Sequence, residues 1–201
     1  MQDMKSMKYI LMSLTALALW ACGGDDEPDV PQPSVATTVT AKYQVSLSDD
    51  LLKVADVTAY YVSADGTVKN EPVQTSPWTK EVSIAADKSI GFALKYGVKS
   101  SANIDTEKEY SIKTTESISY DVKDQYASSM ASGKKERTTL SASVMGEGVA
   151  KYLANISSSS AFRWDGSSMS SATIDWGFNA DITGGYTDTP VSGDPATGDG
   201  E

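Results

Sequence analysis

No histidine occurs anywhere in this 201-residue chain, and that absence removes most familiar catalytic chemistry. Ser-His-Asp and Cys-His nucleophilic sites need an imidazole base, and most zinc enzymes need imidazole ligands. Cys22 is the one cysteine, so intrachain disulfides, cysteine-zinc sites and cysteine-held iron–sulfur clusters are excluded as well. Carboxylates, lysine, tyrosine and serine remain. The acids Asp105, Glu107, Glu109 and Glu116 could include the two carboxyl groups of a glycoside hydrolase, which lie roughly 5–10 Å apart across a sugar. Spacing along the chain does not place them so, and acids in a loop beside Lys108 read better as a solvated surface. We assign no catalytic residue on this basis.

Other motifs reduce to structure. Gly146-Glu147-Gly148 sits between an expected strand and an expected helix, but Lys151 stands where a dinucleotide loop needs its third glycine. It reads as a turn and a helix start, with no cofactor. Asp65 and Asp165 each precede glycine, and Asp194 and Asp199 lie near the end. Calcium takes six to eight oxygens from a dense run of acids and amides, so these Asp-Gly pairs read as turns and no metal is expected. Aromatic side chains are the better candidates for ligand contact, being rigid, flat and amphipathic. Tyr60 and Tyr61 are adjacent in an expected strand, so one of them faces away from the core. Trp176, beside Ile174 and Phe178, reads as core; Tyr60 and Trp164 are the expected ligand contacts.

The start of the chain says where such a domain is placed. Lys5 and Lys8 precede an uncharged apolar run, Tyr9 to Ala21, too short to span a hydrocarbon core of about 30 Å. Leu19-Trp20-Ala21-Cys22 follows. It resembles the lipobox of bacterial lipoproteins, with Trp20 where a small residue is usual. The resemblance implies cleavage of residues 1–21, acylation of Cys22 (palmitate or a similar chain) and attachment to the membrane through those chains; two or more acyl chains anchor stably where one does not. Gly23-Gly24-Asp25-Asp26-Glu27 resembles the acidic export signal of Bacteroidetes-type surface lipoproteins. It implies, through Asp25, Asp26 and Glu27, an outer-membrane protein facing the cell exterior; the periplasmic face is the alternative. In a bacterial protein the Asn155-Ile156-Ser157 glycosylation pattern carries no weight.

Net charge is −10, and loss of residues 1–21 removes Lys5, Lys8 and Asp3, leaving the mature chain one unit more negative. An acidic chain with little clustering of Lys and Arg is poorly suited to phosphate backbones, so nucleic acid is not an expected partner. Residues 22–36 hold the Gly/Asp/Pro-rich tether, extended through Pro28 to Ser34.

The domain that must position any site spans 37–180. Val39, Ala41, Tyr43, Val45 and Leu47 alternate with polar residues, the period-two pattern of a strand. Adjacent Leu51 and Leu52 interrupt it and predict a turn with one leucine tucked under. Asp56–Ser63 and Thr67–Thr75 flank Asp65-Gly66 as a hairpin, Pro72 marking an edge. Further strands are expected at Trp78–Ala85, at Ile90 to Val98, over Tyr110 to Val122 as two pieces or one bent strand, at Leu140 to Val144, and at Ala172 to Phe178. Lys123–Thr138 reads as a long mobile loop, Glu147–Ser157 as one short amphipathic helix, Ser157–Ser160 as its end, and 181–201 as a disordered acidic tail.

The expectation is a mainly β protein, an antiparallel β-sandwich with one short helix. Beside the lipobox, the pattern from Thr37 to Val122 looks like the small immunoglobulin-like or transthyretin-like sandwiches of Bacteroidetes surface lipoproteins. A non-enzymatic surface module for glycan or protein ligands is the leading function. A structural subunit of an envelope or surface assembly is the alternative, and a carboxylate-based glycoside hydrolase comes third.

Overall fold

The computed structural model describes residues 32–180 and the strand Thr187–Thr189. Cys22, the acidic stretch 25–27 and the rest of the tail 181–201 lie outside the described residues. Contacts divide the chain after Pro33, and the sandwich belongs to the unit Ser34–Glu201.

In chain order the elements are β1 (Ala36–Leu47), α1 (Asp49–Val54), β2 (Ala55–Val62), β3 (Val68–Pro72), β4 (Trp78–Ala85), β5 (Ser89–Val98), β6 (Glu109–Asp124), β7 (Ser129–Met145), α2 (Gly146–Ala154), β8 (Ser157–Trp164), β9 (Met169–Ser171) and β10 (Thr187–Thr189). They form two five-stranded sheets, β10-β7-β6-β1-β4 and β3-β2-β5-β8-β9, with every pairing antiparallel. The protein is an antiparallel β-sandwich.

The alternating residues of β1 all point between the sheets, and Val39, Ala41, Tyr43 and Val45 are fully buried. Ile90, Phe92, Leu94 and Tyr96 of β5 face them from the second sheet. Tyr43 ties the sheets together: its hydroxyl donates to the Val62 carbonyl at 3.3 Å and accepts from the Gly91 N–H at 3.1 Å. Burial raises the Tyr43 pKa well above the usual phenol range, so the hydroxyl stays protonated.

Both helices bridge the sheets at their ends. The turn expected around Leu51-Leu52 is α1, where Leu51 and Val54, three apart, share the buried side. Asp49 and Asp50 suit the positive end of its dipole. Ser48 and Asp50 fasten it to β6: Ser48 Oγ donates to the Ser111 carbonyl at 2.6 Å, and the Ser111 N–H donates to Asp50 Oδ2 at 3.1 Å. In α2, Val149 and Leu153 are buried at the expected helical spacing, against β5, β6 and β7. Gly146 permits this crossing, because a Cβ there would lie 1.9 Å from the Asp105 carbonyl oxygen.

Three sequence expectations change. Lys123–Thr138 is not a mobile loop; it holds the β6–β7 turn and the first half of β7, a 17-residue strand. Tyr110 to Val122 belongs to one continuous strand, β6. Opposite it, the β7 register jumps from Thr138 to Leu140, leaving Thr139 as an extra residue. This bulge moves the inward positions from odd to even numbers and so erases the alternation that marks a strand. Second, Ser157–Ser160 does not end the helix but begins β8, next to the central β5, with all four serines buried. Third, residues 172–180 are not a strand. After β9 they form an irregular strap along the second sheet, with Trp176 buried as expected.

Candidate functional site

Of the four acids considered for catalysis, Asp105, Glu107 and Glu109 are exposed, whereas Glu116 is 1 % exposed between the sheets. Its strand parity aims it inward beside its cross-strand partner Arg137, itself 3 % exposed. Arg137 Nη2 and Nε donate to Glu116 Oε2 at 3.0 and 3.2 Å, and Nη2 also donates to the Ser159 carbonyl at 2.6 Å. Thr139 Oγ1 donates to Oε1 at 3.0 Å and Ser160 Oγ to Oε2 at 3.2 Å; Ser158 Oγ also donates to Oε1. The serine run and the bulged threonine thus supply the hydroxyls that a buried carboxylate requires. Tyr96 abuts this cluster through Thr114 Oγ1 at 3.2 Å, and burial, reinforced by the Glu116 charge, raises its pKa. The cluster is enclosed between the sheets and ties the two together, although β8 carries Ser159 and Ser160 past a cleft on its other side.

A second polar set closes the side where edge strands β3 and β4 meet. Glu71 accepts from Trp78 Nε1 at 2.8 Å, Lys80 Nζ at 2.8 Å and the Tyr61 hydroxyl at 3.3 Å. Partial burial pushes the Glu71 pKa up, but these donors outweigh it and leave the carboxyl below its ordinary value. The bond to Glu71 raises Lys80 in turn, and its ammonium stands 4.9 Å from the Tyr61 ring centroid.

The open surface lies on the outer face of the second sheet. Tyr60, Ala93 and Ser159 form one outward row across β2, β5 and β8, and Ser89, Arg163 and Ser170 form another across β5, β8 and β9. The strap starts at the β8 edge, where the Ala172 N–H donates to the Ala161 carbonyl at 2.9 Å. Ser157 Oγ donates to the Asn179 carbonyl at 3.2 Å and holds its far end. Phe178 there packs on Tyr60, with ring centroids 4.9 Å apart, and Lys95 Nζ lies 5.7 Å from the Phe178 centroid.

Between the strap and β8 runs a cleft of about 290 Å³, lined by Trp176, Phe178, Ile174 and the polar Ser159 and Asn179. It shares Ser171, Ala172 and Thr173 with a second cleft of about 560 Å³ that Ser89, Arg163, Trp164, Asp165 and Ser170 complete. Arg163 and Trp164 also border a third, of about 420 Å³, at the end of the sandwich.

Tyr60 lies on the outer face of the second sheet, whereas Trp164, next to outward Arg163 in β8, shares the parity of buried Phe162 and sits on the inner side at the end of the strand. Tyr60 is half-buried beneath Phe178; Trp164 is half-buried at the rim of two clefts. Sequence reasoning missed Arg163. One of only two arginines in an acidic chain, directly before a tryptophan, was its available signal.

Asp65 and Asp165 occupy turns, as their Asp-Gly pairs suggest. Asp165 accepts from the Ser170, Ser167 and Ser168 hydroxyls and from the Ser167 and Ser168 N–H groups, with the Ser170 bond first among the causes that depress its pKa. Ser63 Oγ, then Thr67, do the same for Asp65, and Gly66 supplies the positive φ of that hairpin. Among the described residues no three potential ligands gather as a metal site, and no helix is long and apolar enough to cross a membrane. In comparisons with known proteins, no family model, curated protein or solved structure matches the chain at a significant level.

Proposed function

We propose that this protein is a non-enzymatic lipoprotein of the bacterial outer membrane, anchored through Cys22, whose sandwich serves as a binding or accessory module for glycan or protein ligands. The observation that carries the reading is the grooved outer face of the second sheet, where Trp176 and Phe178 border one of two joined clefts and Trp164, at the end of β8, borders the other, with serine, threonine and asparagine between them. Aromatic faces interleaved with short polar groups suit sugars and extended peptides. Hydrolysis finds less support: Glu116, the most deeply buried carboxylate among the described residues, lies between the sheets, bonded to Arg137 and three hydroxyls.

Protease accessibility on intact cells tests the placement. Digestion of the wild type, with protection when Asp25, Asp26 and Glu27 are neutralised, supports export to the exterior. A wild type protected until the outer membrane is broken places the domain in the periplasm and redirects the search to envelope partners. Binding is tested by screening the full chain in detergent against glycan and peptide arrays beside Trp164→Ala. A variant that keeps every wild-type hit removes the groove from the function.

A further inference from the structure

Taking the binding-module reading as its basis, we propose that the groove recognises an acidic polysaccharide, a polymer of carboxylate-bearing sugars. The chain has two arginines. Arg137 is consumed by Glu116 in the core. Arg163 is exposed on the outer face, and its guanidinium makes no ion pair or side-chain hydrogen bond among the described residues. Asp165 lines one of the clefts that Arg163 borders and Asp87 the other, yet neither pairs with the guanidinium: Asp165 is bonded within its turn, and Asp87 lies 3.8 Å from Lys88 Nζ. The planar guanidinium fork fits a carboxylate through two parallel bonds, which an ammonium does not reproduce.

The cation is set in surroundings suited to sugar. Trp164 follows it in the chain and borders the same two clefts. Hydroxyls of Ser89, Ser170, Ser171 and Thr173 line the nearer one. The shared wall with the strap cleft makes the groove long rather than deep, which favours a polymer over a single small molecule. Lys95 lies at the far end, exposed over Phe178 and in no ion pair among the described residues. The partners of Arg163 and Lys95 in the β5–β8 ladder are Ser89 and Ser157, so the two cations stand six residues, about 20 Å, apart on one face. A chain with regularly spaced carboxylates meets both.

The acids nearby keep their charge but form no ion pair with either cation among the described residues. Asp165 is spent on its turn, and Asp175 Oδ1 accepts the Gly177 N–H at 2.9 Å. Asp56, on the same outer face, lies beyond Lys95 in the row of Gly97. An acidic peptide shares the charge, and poly-glutamate is the probe that separates it from a sugar.

Full-length protein in detergent would be titrated calorimetrically with oligogalacturonate, oligomannuronate and hyaluronan fragments, with neutral cello-oligosaccharides of matched length and poly-glutamate as controls. The expected result is preference for at least one uronate polymer, weakened about tenfold or more in Arg163→Gln, strongly in Trp164→Ala and less in Lys95→Gln. Arg163 and Lys95 are exposed, so unchanged melting temperatures show that the fold persists. Equal affinity for neutral and acidic sugars, or an indifferent Arg163→Gln, overturns the proposal while leaving a glycan-binding module in place. Poly-glutamate binding alone overturns it in favour of a peptide ligand. No binding to any probe removes this proposal, and an empty array screen beside it removes the binding-module reading as well.

Discussion

Glu116 and Arg137 illustrate what a charge does when a strand's parity forces it inward. Their mutual bonds, the three hydroxyls and the Ser159 carbonyl offset a desolvation penalty of several kcal/mol per ion. Removing one member exposes that penalty. Arg137→Met should cost about 3–5 kcal/mol, since Glu116 would stay buried without its cation. The double variant Glu116→Leu/Arg137→Met should recover most of the loss, because it removes both charges together. Urea unfolding of wild type, single and double variants checks this; additive losses would show that the charges do not act as a pair. Tyr43 makes a smaller test of the same kind. Tyr43→Phe deprives the buried Gly91 N–H of its acceptor and should cost about 1–3 kcal/mol.

At the level of elements, the sheets are closed on one side by polar bonds between edge strands, and those bonds titrate. Glu71 has a depressed pKa in the folded state, so its contribution is complete above the unfolded value of about 4.3 and is lost as pH falls through the folded value. Asp65 and Asp165, depressed by their turns, lose theirs in the same direction below about 3.9. Lys80 is raised, so its share is complete below about 10.4 and disappears as pH climbs through the folded value. Melting temperature should therefore fall below about pH 4 and again above about pH 10. In Glu71→Gln the acid limb should be shallower, a change readable by circular dichroism across about pH 2–7; an unchanged slope would remove Glu71 from the balance.

The same elements show what a linear sequence reveals. β1 is legible because apolar and polar neighbours alternate from Thr38 onward, and β5 because large apolar residues alternate with small or polar ones. β7 is not, since Lys135 and Arg137 occupy inward positions and Thr139 shifts the phase. Nor is β8, because four serines resemble a loop until Glu116, some forty residues earlier in the chain, is seen to accept from two of them. Tyr60 was legible as one of two adjacent tyrosines in a strand, of which one must face away from the core. Phe178 as the cover of Tyr60, and Arg163 at the mouth of a cleft, depend on pairings between distant segments that no local pattern encodes.

For the molecule as a whole, the proposed anchorage and the proposed recognition are separate tasks with a joint consequence. Acyl chains on Cys22 would hold many copies on one surface, and a polymer offers many equivalent sites. Once one groove is occupied, the next stretch of polymer is presented to a neighbouring copy at high effective concentration, so capture can exceed single-site affinity by about 10²–10⁴-fold without any new contact. Cys22→Ala should then leave calorimetric affinity for a short uronate oligomer unchanged while moving the protein from the membrane to the soluble fraction. Cells expressing it should lose retention of the long polymer by a far larger factor than the unchanged site affinity accounts for. Washing labelled polymer from cells carrying each form measures the ratio. Equal retention by both forms would mean that single grooves act independently of the anchor. A loss shared with the short oligomer would mean instead that Cys22 acts on the domain itself.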